Sequence, residues 1–433
     1  MVGLAKKNNV WPLYLAFVLE LLFLFYKKGE FGFVISPLIL ILSGLFMAVW
    51  PYFMLRKEPL QFYSENGIKR QLSAKDTTIV FSILLGIAII MGFWVNALME
   101  QYPINIKHSD IIPFIEQVYL KRVDLAEPIY AEVDGYGYGK GHPGYMPFHW
   151  MFFVISYFLN IDHRWIPFVF FILATGLYTY VLGFNFAHVK QVLFLMCLPL
   201  FVLFTIYFEN SSDAMHTIEI LILAYYLLLG VSFFSRNIWA QAFALALPTL
   251  SRYALVFWLP VHFLNMLPKQ SKRFFQLGFA FVGVILLVLL PFLIQVPDMF
   301  EGFNSAYGKA ALGEWDGQDW QKAGDKPFQL FRGLGLASWY YEFYPGSLLE
   351  KIEAIQKHLL YVSAAAIVFL LIAYRWVQSL VPPNLYSLLA LKFSLTLFYA
   401  FMIIPYNYLN WVPMMLSVVI LSRLNTHFWV KQN

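Results

Sequence analysis

"YMPFHWMFFVISYFLN", Tyr145–Asn160, is the stretch on which the topology of this chain turns. It is greasy enough to resemble a membrane crossing, yet a crossing needs about 20 apolar residues. Pro147 suits a helix start. His149, Phe153, Ser156 and Asn160 form one less greasy stripe at helical spacing. Trp150 and Tyr157 are residue types that anchor at a membrane surface. The segment therefore reads as a helix lying in the outer interface rather than across the bilayer. Two basic loops test that reading. One, Arg56–Asp76, carries Arg56, Lys57, Lys69, Arg70 and Lys75; the other, Pro268–Arg273, carries Lys269, Lys272 and Arg273. If Tyr145–Asn160 crossed, these loops would fall on opposite faces. If it does not cross, both are cytoplasmic, as the positive-inside rule requires.

Composition agrees with a membrane setting. Of 433 residues, 60% are hydrophobic and 13% charged, too much apolar side chain for a soluble chain to hide. Apolar runs near 11–26, 32–54, 77–99, 165–184, 190–208, 214–234, 237–250, 253–267, 274–296, 358–376, 385–404 and 407–424 predict an all-α polytopic membrane protein of about 12 transmembrane helices. The first run lacks a small-residue cleavage site and reads as retained. Cys197 is the only cysteine, which excludes disulfides and cysteine metal sites. The net charge of +5 reflects sidedness, not nucleic acid, because the basic residues sit mostly in short loops.

With that assignment most carboxylates fall outside, including Glu100, Asp110, Glu116, Asp213 and Glu314, while Glu58, Glu65 and Asp76 are left inside. Lys27 and Lys28 land outside, against the rule. Two long outer regions result, about 100–164 and 297–357, and chemistry is expected there. Three blocks follow along the chain: an N-terminal hairpin with its cytoplasmic loop (1–76), a central module carrying the first outer region (77–273), and a C-terminal module carrying the second (274–433).

In "HSDIIPFIEQVYLKRVDLAEPIY", His108–Tyr130, Asp110 lies just beyond a span exit. A carboxylate there serves either as a helix N-terminal group or as a general base, taking a proton from an acceptor hydroxyl while a sugar leaves a lipid phosphate. "DGYGYGKGHPGYMPFHW", Asp134–Trp150, contains Gly139, Gly141 and Gly144 in a GxGxxG pattern. No strand precedes it and Pro143 interrupts it, so it is no dinucleotide loop. His142, Tyr145 and His149 suit a sugar pocket or an aromatic interface. In "YFENSSDAMHTIE", Tyr207–Glu219, the residues Glu209, Asn210, Asp213 and His216 cluster at a span boundary, where ionisable groups face a cavity or a partner. Arg252 stands at a tight turn in "LPTLSRYALVF" and reads as a snorkelling cation or as a bidentate phosphate ligand. Lys392 sits about two turns from the cytoplasmic end of its span, and snorkelling accounts for it. Lys326 and Arg332, within an aromatic-rich stretch Glu314–Pro345, can add phosphate contacts. Tyr406 and Asn407, with Tyr408 and Asn410, are placed to close the same cleft.

Taken in order, these parts resemble the GT-C superfamily of integral-membrane glycosyltransferases, particularly its polyprenyl-phosphate-sugar-dependent, mannosyltransferase-like members. The resemblance rests on "HSDIIPFIEQVYLKRVDLAEPIY" followed by "GYMPFHW", then the polar turn "ENSSD", then the hairpin "PTLSRYALVFWLP". It covers most of residues 77–424 and implies a GT-C-like bundle with interfacial helices in the first outer loop. It also implies that Asp110 is the catalytic base, that Arg252 holds the donor phosphate, and that the second outer loop and the Tyr406 region enclose donor and acceptor. The chain departs from the pattern in two extra N-terminal spans, in "YMP" where many members have Tyr-Pro-Pro, and in Arg252 at a Lys position. It has no paired DxD at Asp110, so a divalent metal is not favoured and no cofactor is expected.

The expected function is inverting transfer of a mannose-like hexose or a pentose from a polyprenyl-phosphate carrier to a glycan, lipid or protein acceptor. It would take place at the periplasmic or lumenal face of a membrane, most simply the bacterial plasma membrane. Besides donor and acceptor the partner is the lipid bilayer, and nucleic acid is not one. The rival expectation is a transporter or flippase of a lipid-linked saccharide, whose signs are broken helices and mid-bilayer charge.

Overall fold

A computed structural model describes residues 10–25, 32–57, 72–133, 141–183, 189–268, 270–300, 311–317, 322–323 and 326–430. Lys27, Lys28, Lys69, Arg70, Gly139 and Lys269 lie outside these residues. The described residues are helical and irregular apart from one two-stranded ribbon, β1 (Lys322–Ala323) against β2 (Lys326–Pro327), and an isolated bridge between Val133 and Gly141.

The expected spans all fall on helix. They are α1 (Trp11–Phe25), α2 (Gly32–Lys57), α3 (Ala74–Gln101), α8 (Trp165–Gly183), α9 (Val189–Glu209), α10 (Ser211–His216) with α11 (Glu219–Ser232), α12 (Ile238–Thr249), α13 (Leu259–Met266), α14 (Ser271–Gln295), α18 (Leu348–Val377), α19 (Pro383–Ala400) and α20 (Trp411–Val430). They are not all crossings. Among the described residues, 6 helices are long and apolar enough to span: Gly32–Arg56, Ala74–Gln101, Trp165–Gly183, Val189–Glu209, Ser271–Gln295 and Leu348–Val377. This makes the chain a polytopic helical membrane protein and corrects the count of about 12.

The excess came from apolar runs that are core. The run 214–234 breaks at Thr217–Ile218 into α10 and α11. With 14 residues, α11 is about 21 Å long against a hydrocarbon core of about 30 Å. Every residue from Glu219 to Leu227 is buried, where α11 packs on α8, α12 and α20. A helix apolar on all sides is as much a core helix as a lipid-facing one. Lipid-facing surface lies instead on the long helices: Phe93 on α3 and Phe279 on α14 are both 77% exposed, and Leu287 on α14 is 78% exposed. The N-terminal hairpin belongs to the bundle, since α2 packs on α19 and α1 packs on α9 and α20.

Tyr145–Asn160 does not form a crossing. It folds as α6 (Pro147–Trp150) and α7 (Phe153–Leu159), with Pro147 opening α6 and Asn160 closing α7 in the left-handed region at φ 51°. His149, Phe153 and Ser156 are buried, whereas Ile155, Phe158 and Leu159 are exposed. The less greasy stripe therefore faces the protein and the apolar one faces outward.

One end of the bundle gathers everything on which the site depends. Arg164 ties the start of α8 to the end of α3, donating to the Tyr102 carbonyl at 2.5 Å and the Met99 carbonyl at 3.1 Å while its Asp162 pair lies at 2.6 Å. A cation is well placed on the last carbonyls of a helix. The Phe148 N–H donates to Leu250 O at 2.9 Å, and Phe292 near the end of α14 contacts the Tyr130 and Trp150 rings. The second outer region reaches the same end through Leu336 N–H to Ala400 O at 2.7 Å and Trp315 Nε1 to Ile403 O at 3.0 Å.

Candidate functional site

Asp110 precedes α4 (Ile111–Phe114), which continues through a π-helical turn, Ile115–Leu120, into α5 (Lys121–Asp124). It stands at the N-cap position without a side-chain cap hydrogen bond to that helix, and it is half-buried. A π turn widens the helix by one residue and is frequent at functional sites. The Asp110 carbonyl accepts from the Phe114 N–H at 2.7 Å. Phe114 meets Tyr145 edge to face at 5.5 Å between ring centroids, and Tyr145 lies 4.2 Å from the His149 ring. Two ring contacts thus lead from the Asp110 helix to His149.

The Tyr145 backbone is held from both sides. Its N–H donates to Tyr119 Oη at 2.7 Å, and its carbonyl accepts from Tyr130 Oη at 2.8 Å. Trp150 Nε1 donates to Tyr130 Oη at 3.1 Å. Arg122 fixes the neighbouring segment by donating to the Ile129, Ala131 and Glu132 carbonyls. Polar hydrogens of buried tyrosines are used here to set one loop.

His149 reaches the Arg252 turn, its Nδ1 standing 3.3 Å from Ser251 Oγ. Burial, and then the nearby Arg252 charge, push the His149 imidazole well below its ordinary pKa, so it is neutral. Arg252 Nη2 is ion-paired with Glu219 Oε1. Glu219 is fully buried and opens α11 directly after the break, where a helix N-terminus favours a carboxylate. Tyr399 lies beside the guanidinium, and Tyr408 beside Arg252, Glu219, Tyr145 and Asp213.

The cluster is incompletely satisfied. Glu219 Oε2, Arg252 Nη1, His149 Nε2, Tyr226 Oη and Tyr399 Oη are buried without a well-aligned hydrogen bond, the Tyr399 hydroxyl lying between the Arg252 guanidinium and the Tyr226 hydroxyl. Each such atom costs about 1–3 kcal/mol, more for a charged one, so a cluster of them is a candidate functional site.

The remaining predicted residues divide between this cluster and its surroundings. His142 Nδ1–H donates to Tyr130 O at 2.7 Å and the ring lies 3.7 Å from Asp298, linking the two outer regions. Glu209 is exposed and Asp213 half-buried. Asn210 and Asn407 line one cavity with Glu20, Asn410 and Trp411, and Asn407 Oδ1 is buried without a partner. Tyr406 donates to Glu314 at 3.4 Å and stacks on Tyr408 at 5.3 Å. Lys326 pairs with Glu342 at 2.5 Å and sits over the Phe33 and Phe331 rings. The Arg332 guanidinium lies over Phe328. The partners of both cations belong to the second outer region or α2, not to the Arg252 cluster. No group of three or more His, Cys, Asp or Glu among the described residues has the arrangement of a metal site.

Comparison of this chain with known protein families, with curated proteins and with solved structures finds no match.

Two groups were missed by sequence reasoning. Glu219 only closes the stretch Tyr207–Glu219 in the sequence; its place beside Arg252 depends on a helix break and on a partner far along the chain. Lys392 does not snorkel. It is 1% exposed and pairs with Glu20 of α1 at 2.5 Å, while Ser417 donates to the other Glu20 oxygen at 2.6 Å and Pro413 O accepts from Lys392 at 2.8 Å. A lone carboxylate in the first hydrophobic run was the available signal, because such a group requires a partner.

Proposed function

We propose that this chain is a GT-C-like glycosyltransferase that moves a sugar from a polyprenyl-phosphate carrier to an acceptor at the extracytoplasmic membrane surface. The observation that carries the reading is the buried Arg252–Glu219 ion pair beside His149, joined by successive ring contacts to the helix that Asp110 opens. A guanidinium with one edge on a carboxylate and the Tyr399 hydroxyl beside it can exchange that hydroxyl for a phosphate oxygen. The exposed apolar flanks of the long helices suit a polyprenyl tail.

In this mechanism the Asp110 carboxylate takes the proton of the acceptor hydroxyl, and the resulting oxygen attacks the anomeric carbon from the side opposite the phosphate. The bond from that carbon to the phosphate oxygen breaks with its electron pair, leaving polyprenyl phosphate, whose charge Arg252 stabilises. The configuration inverts. Lys326 and Arg332 serve as outer phosphate contacts, and His142, Tyr145, His149, Glu209, Asn210, Asp213, Tyr406 and Asn407 line the donor and acceptor space.

Membranes containing wild-type protein should consume a radiolabelled polyprenyl-phosphate sugar, and Asp110→Asn should lower turnover by about 10²–10⁴-fold. Undiminished turnover removes Asp110 as the base. One observation favours the transporter reading: the Glu20–Lys392 pair lies roughly 8–12 Å inside the helix ends, and buried charge at depth marks transport paths. Movement of an intact lipid-linked sugar across vesicles, with no sugar released from its phosphate, would select that reading.

A further inference from the structure

We propose that two ordered waters bridge the buried Glu20–Lys392 pair to the Asn407 side chain, so that a hydrated polar path leads from the site end of the bundle to a charge pair at depth. The proposal holds under the transferase and transporter readings alike. Two adjoining cavities mark the path. Glu20, Leu334, Asn410 and Met414 line both, Lys392 lines the first and Asn407 the second. Each has room for about one water molecule. A water stays in a protein interior where it finds about two to four polar partners. The first cavity offers it Glu20, Lys392 and Asn410, and the second Glu20, Asn407 and Asn410.

Hydrogen-bonding capacity is left on these groups. Asn407 Oδ1 is buried and accepts from no group of the protein. Lys392 carries three N–H groups, of which Glu20 and the Pro413 carbonyl each take one. Each Glu20 oxygen has a partner, Lys392 or Ser417, and can accept a second bond. Every charged atom of the pair is therefore partnered, with capacity to spare for a water. The two ends are complementary. Lys392 only donates and Asn407 Oδ1 only accepts, whereas a water does both. A first water that accepts from Lys392 can donate to a second, and the second to Asn407 Oδ1. The span agrees. Lys392 touches the Pro413 carbonyl, and Asn407 lies about 9–12 Å back along the chain from Pro413 at helical rise. Three hydrogen bonds in series cover about 8–9 Å, and the Asn407 side chain covers the rest. Leu334 is 3% exposed and walls both cavities from the second outer region. Gly333 and Gly335 seat it there by close approach to Pro405 and Ala400.

The test reads the waters through their neighbours. X-ray radiolysis makes hydroxyl radicals where water resides, so a buried side chain is oxidised fast when a water lies beside it. Met414 and Met415 are adjacent in sequence, alike in intrinsic reactivity and both buried, 2% and 0% exposed. Met414 lines both cavities and Met415 neither. In the full chain in detergent micelles, Met414 should be oxidised several-fold faster than Met415, with tandem mass spectrometry separating the two. Asn410→Leu replaces a polar wall of both cavities by an apolar one and should bring Met414 down to the Met415 rate. Equal rates in the wild type overturn the proposal, and so does a Met414 rate that Asn410→Leu leaves unchanged. Should Asn410→Leu fail to fold, the wild-type comparison decides alone.

Discussion

Lys392 and Glu20 show how much a single buried charge depends on its partner. Both are almost fully buried, and Ser417 and the Pro413 carbonyl satisfy what the pair leaves over. Removing one partner strands the other charge in apolar surroundings, which costs about 3–5 kcal/mol, whereas removing both often costs little. Lys392→Met should therefore lower the thermal stability of the detergent-solubilised protein markedly, and Glu20→Gln with Lys392→Met should restore most of it. Equal losses in the single and double variants would show that packing rather than charge holds this position. Arg252 and Glu219 are a different case, because each of them and the neighbouring His149 keeps a buried atom without a partner. The first pair is complete and ties α1, α19 and α20 together; the second is incomplete.

Elements are held at the site end by close backbone approach more than by long interfaces. The segment from α15 (residues 311–316) through α16 (Phe328–Arg332) to α17 (Ala337–Phe343) folds over the stretch that joins α19 to α20. Gly333 and Gly335 allow it. A Cβ on Gly333 would overlap the Pro405 backbone carbonyl, and one on Gly335 would lie 2.7 Å from Pro405 Cβ and 3.2 Å from Ala400 O. Backbone atoms cannot swing aside as a side chain does. Gly333→Ala should lift this flap at a cost of about 1–3 kcal/mol, read as faster proteolysis within residues 311–346 while the six long helices stay intact. Cleavage at the wild-type rate would mean that the flap does not depend on this contact. Arg164 acts likewise on the end of α3 that leads to Asp110, and Arg122 on the segment Ile129–Glu132 that follows α5.

For the whole molecule the question is sidedness. Because α3 and α14 both end at the site, where Arg164 holds the Met99 and Tyr102 carbonyls and Phe292 meets the Tyr130 and Trp150 rings, Lys75 and Lys272 at their starts share the opposite face. The Asp110 loop then falls on the other. Cys197 is exposed and is the only cysteine, so Cys197→Ser supplies a cysteine-free background. In it, Lys107→Cys should react with an impermeant maleimide in intact cells, and Lys272→Cys only after permeabilisation. Labelling of both from one side would overturn the arrangement. The outcome bears on function because the donor reading requires Asp110 and Arg252 to share the extracytoplasmic end.

The sequence by itself determined the helical membrane class, the places where helix occurs, and the non-crossing of Tyr145–Asn160, because these follow from hydropathy, run length and local turn chemistry. It marked Asp110, His149 and Arg252 as polar groups out of keeping with their surroundings. Only the tertiary structure decided which apolar runs are lipid-facing and which are core, since an all-apolar helix such as α11 satisfies both environments equally well. It alone paired Glu219 with Arg252 and Glu20 with Lys392, residues separated along the chain by 33 and 372 positions. Pairings of that range are set by how helices pack, and no local pattern of residue types encodes them.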